Sequence, residues 1–231
     1  MRAFEQVPGG WASLATFEER TVLRAQARRA TKLMADGRVE TAVETDPNAS
    51  PENAQQSAEP VPHSTAHSED EILAALEFQP NELAQWEEHA LQRIFPNASP
   101  DDDAASALVR ATYGDELRRR KVTRMQALER ELTHPSGPEG AILVPSGQEE
   151  AWLGALNDLR LLYSARLGFQ SDLDVEQTRE RVAALIEGQD ESIWRQDPQN
   201  SQTIYDYSLY ELLTWWQESL LMSVFSTEKP S

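Results

Sequence analysis

"EEAWLGALNDLRLLYSARLGF", residues 149–169, reads as a single helix, and the polar residues in it bear on both fold and function. Trp152, Leu156, Leu159 and Tyr163 recur at three- and four-residue steps and form one apolar stripe. Leu153 and Leu161 flank Asn157. Ala151, Ala155, Asp158, Leu162 and Ala165 make a second, mostly small face that lets another helix approach closely. Asn157, Asp158 and Arg160 sit where a simple packing helix would carry leucine or alanine. Asp158 therefore points into a helix–helix seam, where a carboxylate is costly unless cations or donors surround it. Lys121 offers a partner, one turn from both Leu117 and Met125 on their apolar line. The expected pair is Asp158–Lys121 or Asp158–Arg118, and Arg160 is expected to pair with an acid such as Glu218.

Around this helix the punctuation of the chain predicts further elements. Ser146 and Glu149 stand at the spacing of a capping box, and Gly168 supplies the stop. Phe4 and Val7 lead into Pro8-Gly9-Gly10, and Trp11 and Leu14 follow, which predicts a small hairpin. "GAILVPSG" (140–147) is the other strand candidate and is available to join it. Residues 16–37 carry a Thr16 N-cap, early glutamates and Gly37 beyond the end, the signals of a helix. "EDEILAALEF" (69–78) is a short amphipathic stretch broken by Pro80. Residues 81–95 place Leu83, Trp86, Ala90, Leu91 and Ile94 at helical spacing before Pro96. Residues 98–132 begin with Ser99 as cap, Pro100, and Asp101, Asp102 and Asp103 facing the helix dipole; Gly114 marks a break or bend. Residues 174–188 give another helix, and 204–225 are apolar nearly all round, the pattern of a central bundle helix. Residues 36–68, with Pro47, Pro51, Pro60 and Pro62 and few large apolar side chains, are expected to be a disordered insert. Such a flexible chain spans roughly 30 Å. The expectation is an all-α protein: one helical domain over residues 1–231, a bundle of about six helices with a minor N-terminal β-hairpin.

Composition narrows the function. The 231 residues hold no cysteine, so disulfides, thiolate nucleophiles and thiolate metal sites are out. The N-terminus lacks a signal-peptide pattern, and residues 210–225 are too short and too acidic to span a bilayer; a cytoplasmic protein without membrane contact is expected. A net charge of −18 disfavours general nucleic-acid binding. Yet Arg20, Arg24, Arg28, Arg29 and Lys32, with Arg118, Arg119, Arg120, Lys121, Arg124 and Arg130, put over half of the 21 basic residues in two short segments. Solvated helix faces near acids explain such runs, and an anionic partner is the alternative. A helix–turn–helix with its turn at Thr112–Gly114 is a weaker possibility, because the basic run wraps round its helix instead of backing onto apolar residues. His63 and His67 are four apart but lie in the proline-rich stretch, and Asp101–Asp103 are explained by capping; no metal and no cofactor is expected. His89 and His134 stand outside any catalytic motif, so no catalytic residue is assigned.

Three stretches then resemble, in order and character, an uncharacterised actinobacterial family. They are "RIFPNASPDDDAASALVRATYGDELRRRKV" (93–122), "AWLGALNDLRLLYSARLG" (151–168) and "IYDYSLYELLTWWQESL" (204–220). The resemblance spans most of residues 85–225 and, more weakly, the first helix; the 36–68 insert lies outside it, and "SLYEL" departs from the family pattern in part. It implies a mostly helical domain of unknown function whose genes lie beside that of the Clp-protease adaptor ClpS and near sulfur-carrier and cysteine-synthesis genes. Some members are labelled transcriptional regulators. Its motifs fall on Asn157, Asp158, Arg160, Trp215, Gln217 and Glu218. The functional expectation is a non-enzymatic interaction or regulatory module with a protein partner, in a setting of proteolysis or sulfur metabolism. One alternative is an enzyme or small-ligand binder using Asn157, Asp158, Arg160, Gln217 and Glu218 with Lys121 or Arg118; the other is a regulator using the basic stretch 117–130.

Overall fold

Thr16 opens the first helix, α1 (Phe17–Asp36), through a reciprocal box. Glu19 N–H donates to Thr16 Oγ1 at 3.2 Å, and Thr16 N–H donates to Glu19 Oε2 at 2.8 Å. The structure is a computed structural model that describes residues 1–36, 83–96, 103–187 and 198–227. Five more helices follow among these residues: α2 (Leu83–Ile94), α3 (Asp103–Thr133), α4 (Glu149–Arg166), α5 (Asp172–Glu187) and α6 (Pro198–Thr227). None of them is long and apolar enough to cross a membrane. The 37–68 part of the predicted insert, the 69–78 stretch and the cap at Ser99 and Pro100 lie outside the described residues, as do His63, His67, Asp101 and Asp102.

The predicted hairpin is there and gains a third strand. β1 (Glu5–Val7), β2 (Gly10–Ser13) and β3 (Ile142–Pro145) form an antiparallel sheet in that order, with Trp11 opposite Val144 and Ser13 opposite Ile142. Aromatic stacking and one buried donor dock it on α6. The Phe4 ring stacks on Trp216 at 5.1 Å, and Trp216 Nε1–H donates to Ser13 Oγ at 3.0 Å. On α3, the Glu131 carboxylate accepts the backbone N–H groups of Ser136 and Leu143, each at 2.8 Å, and so pins β3.

α4 is the central helix. It packs along α2 and α6, meets α3, and touches α1 and β3. Leu156, Leu159 and Tyr163 on its predicted stripe have no exposed surface. Each such large apolar side chain contributes about 1.5–3 kcal/mol on burial. Its C-terminus closes as a Schellman motif: Gly168, at φ 72°, donates to Ala165 O at 3.1 Å and Phe169 N–H to Ser164 O at 3.0 Å.

Three expectations are corrected. The Ser146–Glu149 box does not form, because Ser146 N–H is still held by the sheet, donating to Gly9 O at 2.9 Å. The cap position is Gln148, and Glu149 Oε1 accepts Gly147 N–H at 2.8 Å. Second, α3 runs through Thr112–Gly114 as one helix, so Gly114 does not break it and the weaker alternative of a helix–turn–helix with its turn there does not form. A mid-helix glycine costs only about 1 kcal/mol, and strong helix formers follow it. Third, α6 begins six residues before Ile204, with Pro198 at its first position, and it is not buried all round. Leu209, Leu213, Trp216 and Leu220 face the core, whereas Trp215, Leu221, Met222 and Phe225 are exposed.

Candidate functional site

The α3–α4 crossing buries Asp158 completely. Lys121 Nζ donates to Asp158 Oδ1 at 2.7 Å. Arg124 donates to Oδ2 through Nε at 3.1 Å and again through Nη2. Both carboxylate oxygens are thus taken by cations whose own side chains are mostly covered, at 13% and 23% exposure. Such charge-assisted, forked contacts offset much of the desolvation cost of an interior carboxylate. Gly154, one turn before Asp158, makes the room. A Cβ there would stand 2.2 Å from Arg124 Nη1 and 2.7 Å from Cζ.

Arg118, the other expected partner, goes elsewhere. It donates to the Met34 carbonyl at the end of α1 and lies 4.9 Å above the Phe95 ring, which also carries Lys121 at 5.7 Å. One turn along α3 separates Lys121 from Arg124, so the same face reaches Asp158 twice while Arg118 points toward α1. Arg160 Nη2 donates to Asn157 Oδ1 on its own helix at 3.4 Å, and Glu218 is exposed rather than paired with it. Asn157 is half-buried, and Gln217 Nε2 donates to the Leu153 carbonyl at 3.4 Å. Trp215 faces outward at 42% exposure. The motif residues of α4 and α6 therefore do not converge on one centre.

A second buried charge centre lies where α4 meets α6. Arg166 Nε bonds Asp206 Oδ2 at 3.2 Å, both side chains being more than nine-tenths covered. The Arg166 guanidinium stands 4.9 Å over the Trp86 ring, and Arg29 shares that ring at the same distance. Burial raises the Asp206 carboxyl above its ordinary value, with Arg166 and Gln202 partly offsetting it. Burial likewise raises the Tyr205 hydroxyl, beside Asp206, to about 12, and it raises Tyr163 well above the usual phenol range. Gln26 Nε2 donates to the Tyr205 hydroxyl at 3.3 Å, which ties α1 to α6. Asp206 Oδ1, Gln202 Nε2 and the Tyr163 hydroxyl are buried without a hydrogen bond of good geometry. Helical spacing carried a signal for this centre. Arg166 is the next position on the Trp152–Tyr163 stripe, and Asp206 precedes Leu209, Leu213, Trp216 and Leu220 at the same steps.

The basic runs are largely engaged with partners among the described residues. Arg28 pairs with Glu129 at 2.8 Å, Arg119 with Glu116 at 2.9 Å, and Arg29 with Glu87 at 3.6 Å. His89 and His134 are exposed, and no cluster of three or more metal-binding side chains occurs among the described residues. A shallow cavity of about 330 Å³ on α3 is lined by Gln126, Glu129, Arg130, Thr133 and His134. Another, about 160 Å³, lies against the sheet beside Pro138 and Glu139. Asp158 and Asp206 line neither.

No curated protein and no solved structure gives a significant match to the chain. A family model does, over residues 1–224, and that span takes in both buried charge centres, the sheet and all but the last turn of α6. By that match the chain belongs to the family described as a domain of unknown function, DUF2017.

Proposed function

We propose that the protein is a non-enzymatic interaction module whose inward polar residues hold the helices in register. The observation that supports this most is the closure of the Asp158 centre: both oxygens accept from Lys121 and Arg124, at zero exposure. A carboxylate so held is poorly placed to take a proton from a substrate or to receive one. It fixes instead which face of α3 meets α4, a use for which buried polar groups are known. The engagement of Arg119, Lys121 and Arg124 with acids also weighs against reading the basic stretch 117–130 as a phosphate-binding face. Recognition then falls to the outer surface, and the proteolytic and sulfur-handling settings implied by the resemblance supply the first partners to assay.

The test is affinity capture from nuclease-treated lysate of the source organism, read by quantitative mass spectrometry. A protein retained in stoichiometric amount is the expected result. No stoichiometric partner, together with a small molecule that raises the melting temperature of wild type but not of Asp158→Asn, would overturn the reading in favour of a ligand site.

A further inference from the structure

The outer face of α6 is built like one half of a coiled coil. Glu211, Trp215, Glu218, Met222 and Phe225 follow one another at steps of four, three, four and three residues, the spacing of a heptad seam. At about 100° per residue these five fall within one narrow stripe, roughly opposite the buried line of Leu209, Leu213, Trp216 and Leu220. Met222 is 70% exposed, Phe225 59% and Trp215 42%, with Leu221 flanking at 38%; Glu211 and Glu218 are exposed too. The stripe is about 21 Å long, which matches four turns of a partner helix.

We infer that this seam docks an amphipathic helix of a partner protein, one that sets large apolar residues against Trp215, Met222 and Phe225 and lysine or arginine against Glu211 and Glu218. The inference rests on the interaction-module reading and names the partner's chemistry. Charge decides the occupant. A second copy of this chain would bring Glu218 onto its own counterpart in a parallel pair, or onto Trp215 or Met222 in an antiparallel one, so its carboxylate would be desolvated without a cation either way, whereas Glu211 already has Arg179 of α5 near it. The net charge of −18 adds long-range repulsion between copies. A basic helix reverses both terms: it neutralises Glu218, adds a cation beside Glu211, and is steered toward an acidic protein. An anionic membrane surface lacks cations to meet them.

The experiment titrates full-length protein into fluorescein-labelled synthetic helices of about three heptads. One peptide carries leucine at the seam positions with lysine opposite the two glutamates. A second replaces those lysines by glutamate, and a third keeps the lysines but replaces leucine by serine. Saturable anisotropy with the first peptide alone is expected. Glu218→Lys should weaken it roughly tenfold and improve binding of the glutamate peptide, as one reversed contact of about 1.4 kcal/mol implies. Met222→Ser/Phe225→Ser should abolish it, with circular dichroism showing the fold intact. Equal binding of the leucine–lysine and serine–lysine peptides, or no binding by either, overturns the seam. So does a wild-type dimer in sedimentation that this double variant makes monomeric, or selective binding to vesicles of phosphatidylserine and phosphatidylcholine. These failures leave the module reading standing, since partner capture tests that separately.

Discussion

Asp158→Asn preserves the shape of the side chain and removes the charge that both Lys121 and Arg124 address. Two largely covered cations would lose their counterion. The expected loss is about 3 kcal/mol, the lower end for breaking a buried pair because both cations keep some water. Urea denaturation monitored by circular dichroism measures it. Gly154→Ala sets two effects against each other. Alanine favours a helix interior by about 1 kcal/mol over glycine, but its Cβ would enter the space of the Arg124 guanidinium, which Asp158 holds in place. The clash is expected to win, so the same titration should show a lower midpoint. Asp206 makes a pH prediction. Its folded carboxyl binds a proton more tightly than the ordinary value of 3.8 allows, so this group's stabilisation is complete below that value and is lost as pH rises through the folded pKa. Arg166 and Arg29 face it, and Tyr163 and Tyr205 lie beside it. On acidification from neutral pH toward about pH 4, wild type should therefore gain stability relative to Asp206→Asn, whose stability carries no such term. Asp158 was legible in the sequence because a lone carboxylate on a small-residue face demands a cation. Arg124 was not, since the apolar line through Met125 drew the reading to Lys121 and Arg118. Arg166 and Asp206 escaped because each sits at the end of its stripe, where a charged residue reads as the start of a solvated turn.

At the scale of elements, local signals located helices well and their joins less well. Thr16, Gly168 and the apolar steps of α1, α2 and α4 act within a turn or two, so their effects are visible in sequence. The fate of Ser146 depended on Gly9, far away in the chain, and its sheet bond displaced the expected cap. The third strand similarly depends on contacts with α3. Glu131→Ala would leave the Leu143 N–H and the Ser136 N–H without their acceptor, at a cost of about 1–3 kcal/mol. The Leu143 amide should then exchange with deuterium about tenfold faster or more, while the fully buried core of α4 is much less affected. Equal protection in wild type and variant would show that β2 alone holds the strand.

At the scale of the whole molecule, the proposed division of labour sets an interior that fixes helix register with Asp158, Lys121, Arg124, Arg166 and Asp206 against an outer α6 face kept for a partner. The all-round apolar character of α6 was plain in sequence, yet it suited two arrangements: a helix buried on every side, or one buried on one side and open for docking on the other. Only the packing of α6 against α4, α5 and the sheet separates them. The most direct test measures unfolding free energy for Met222→Ser/Phe225→Ser and for Asp158→Asn under one set of conditions. The double variant should lie within about 0.5 kcal/mol of wild type, as exposed positions do, while Asp158→Asn loses about 3 kcal/mol. A double variant that loses as much as Asp158→Asn, or an Asp158→Asn as stable as wild type, would contradict the division.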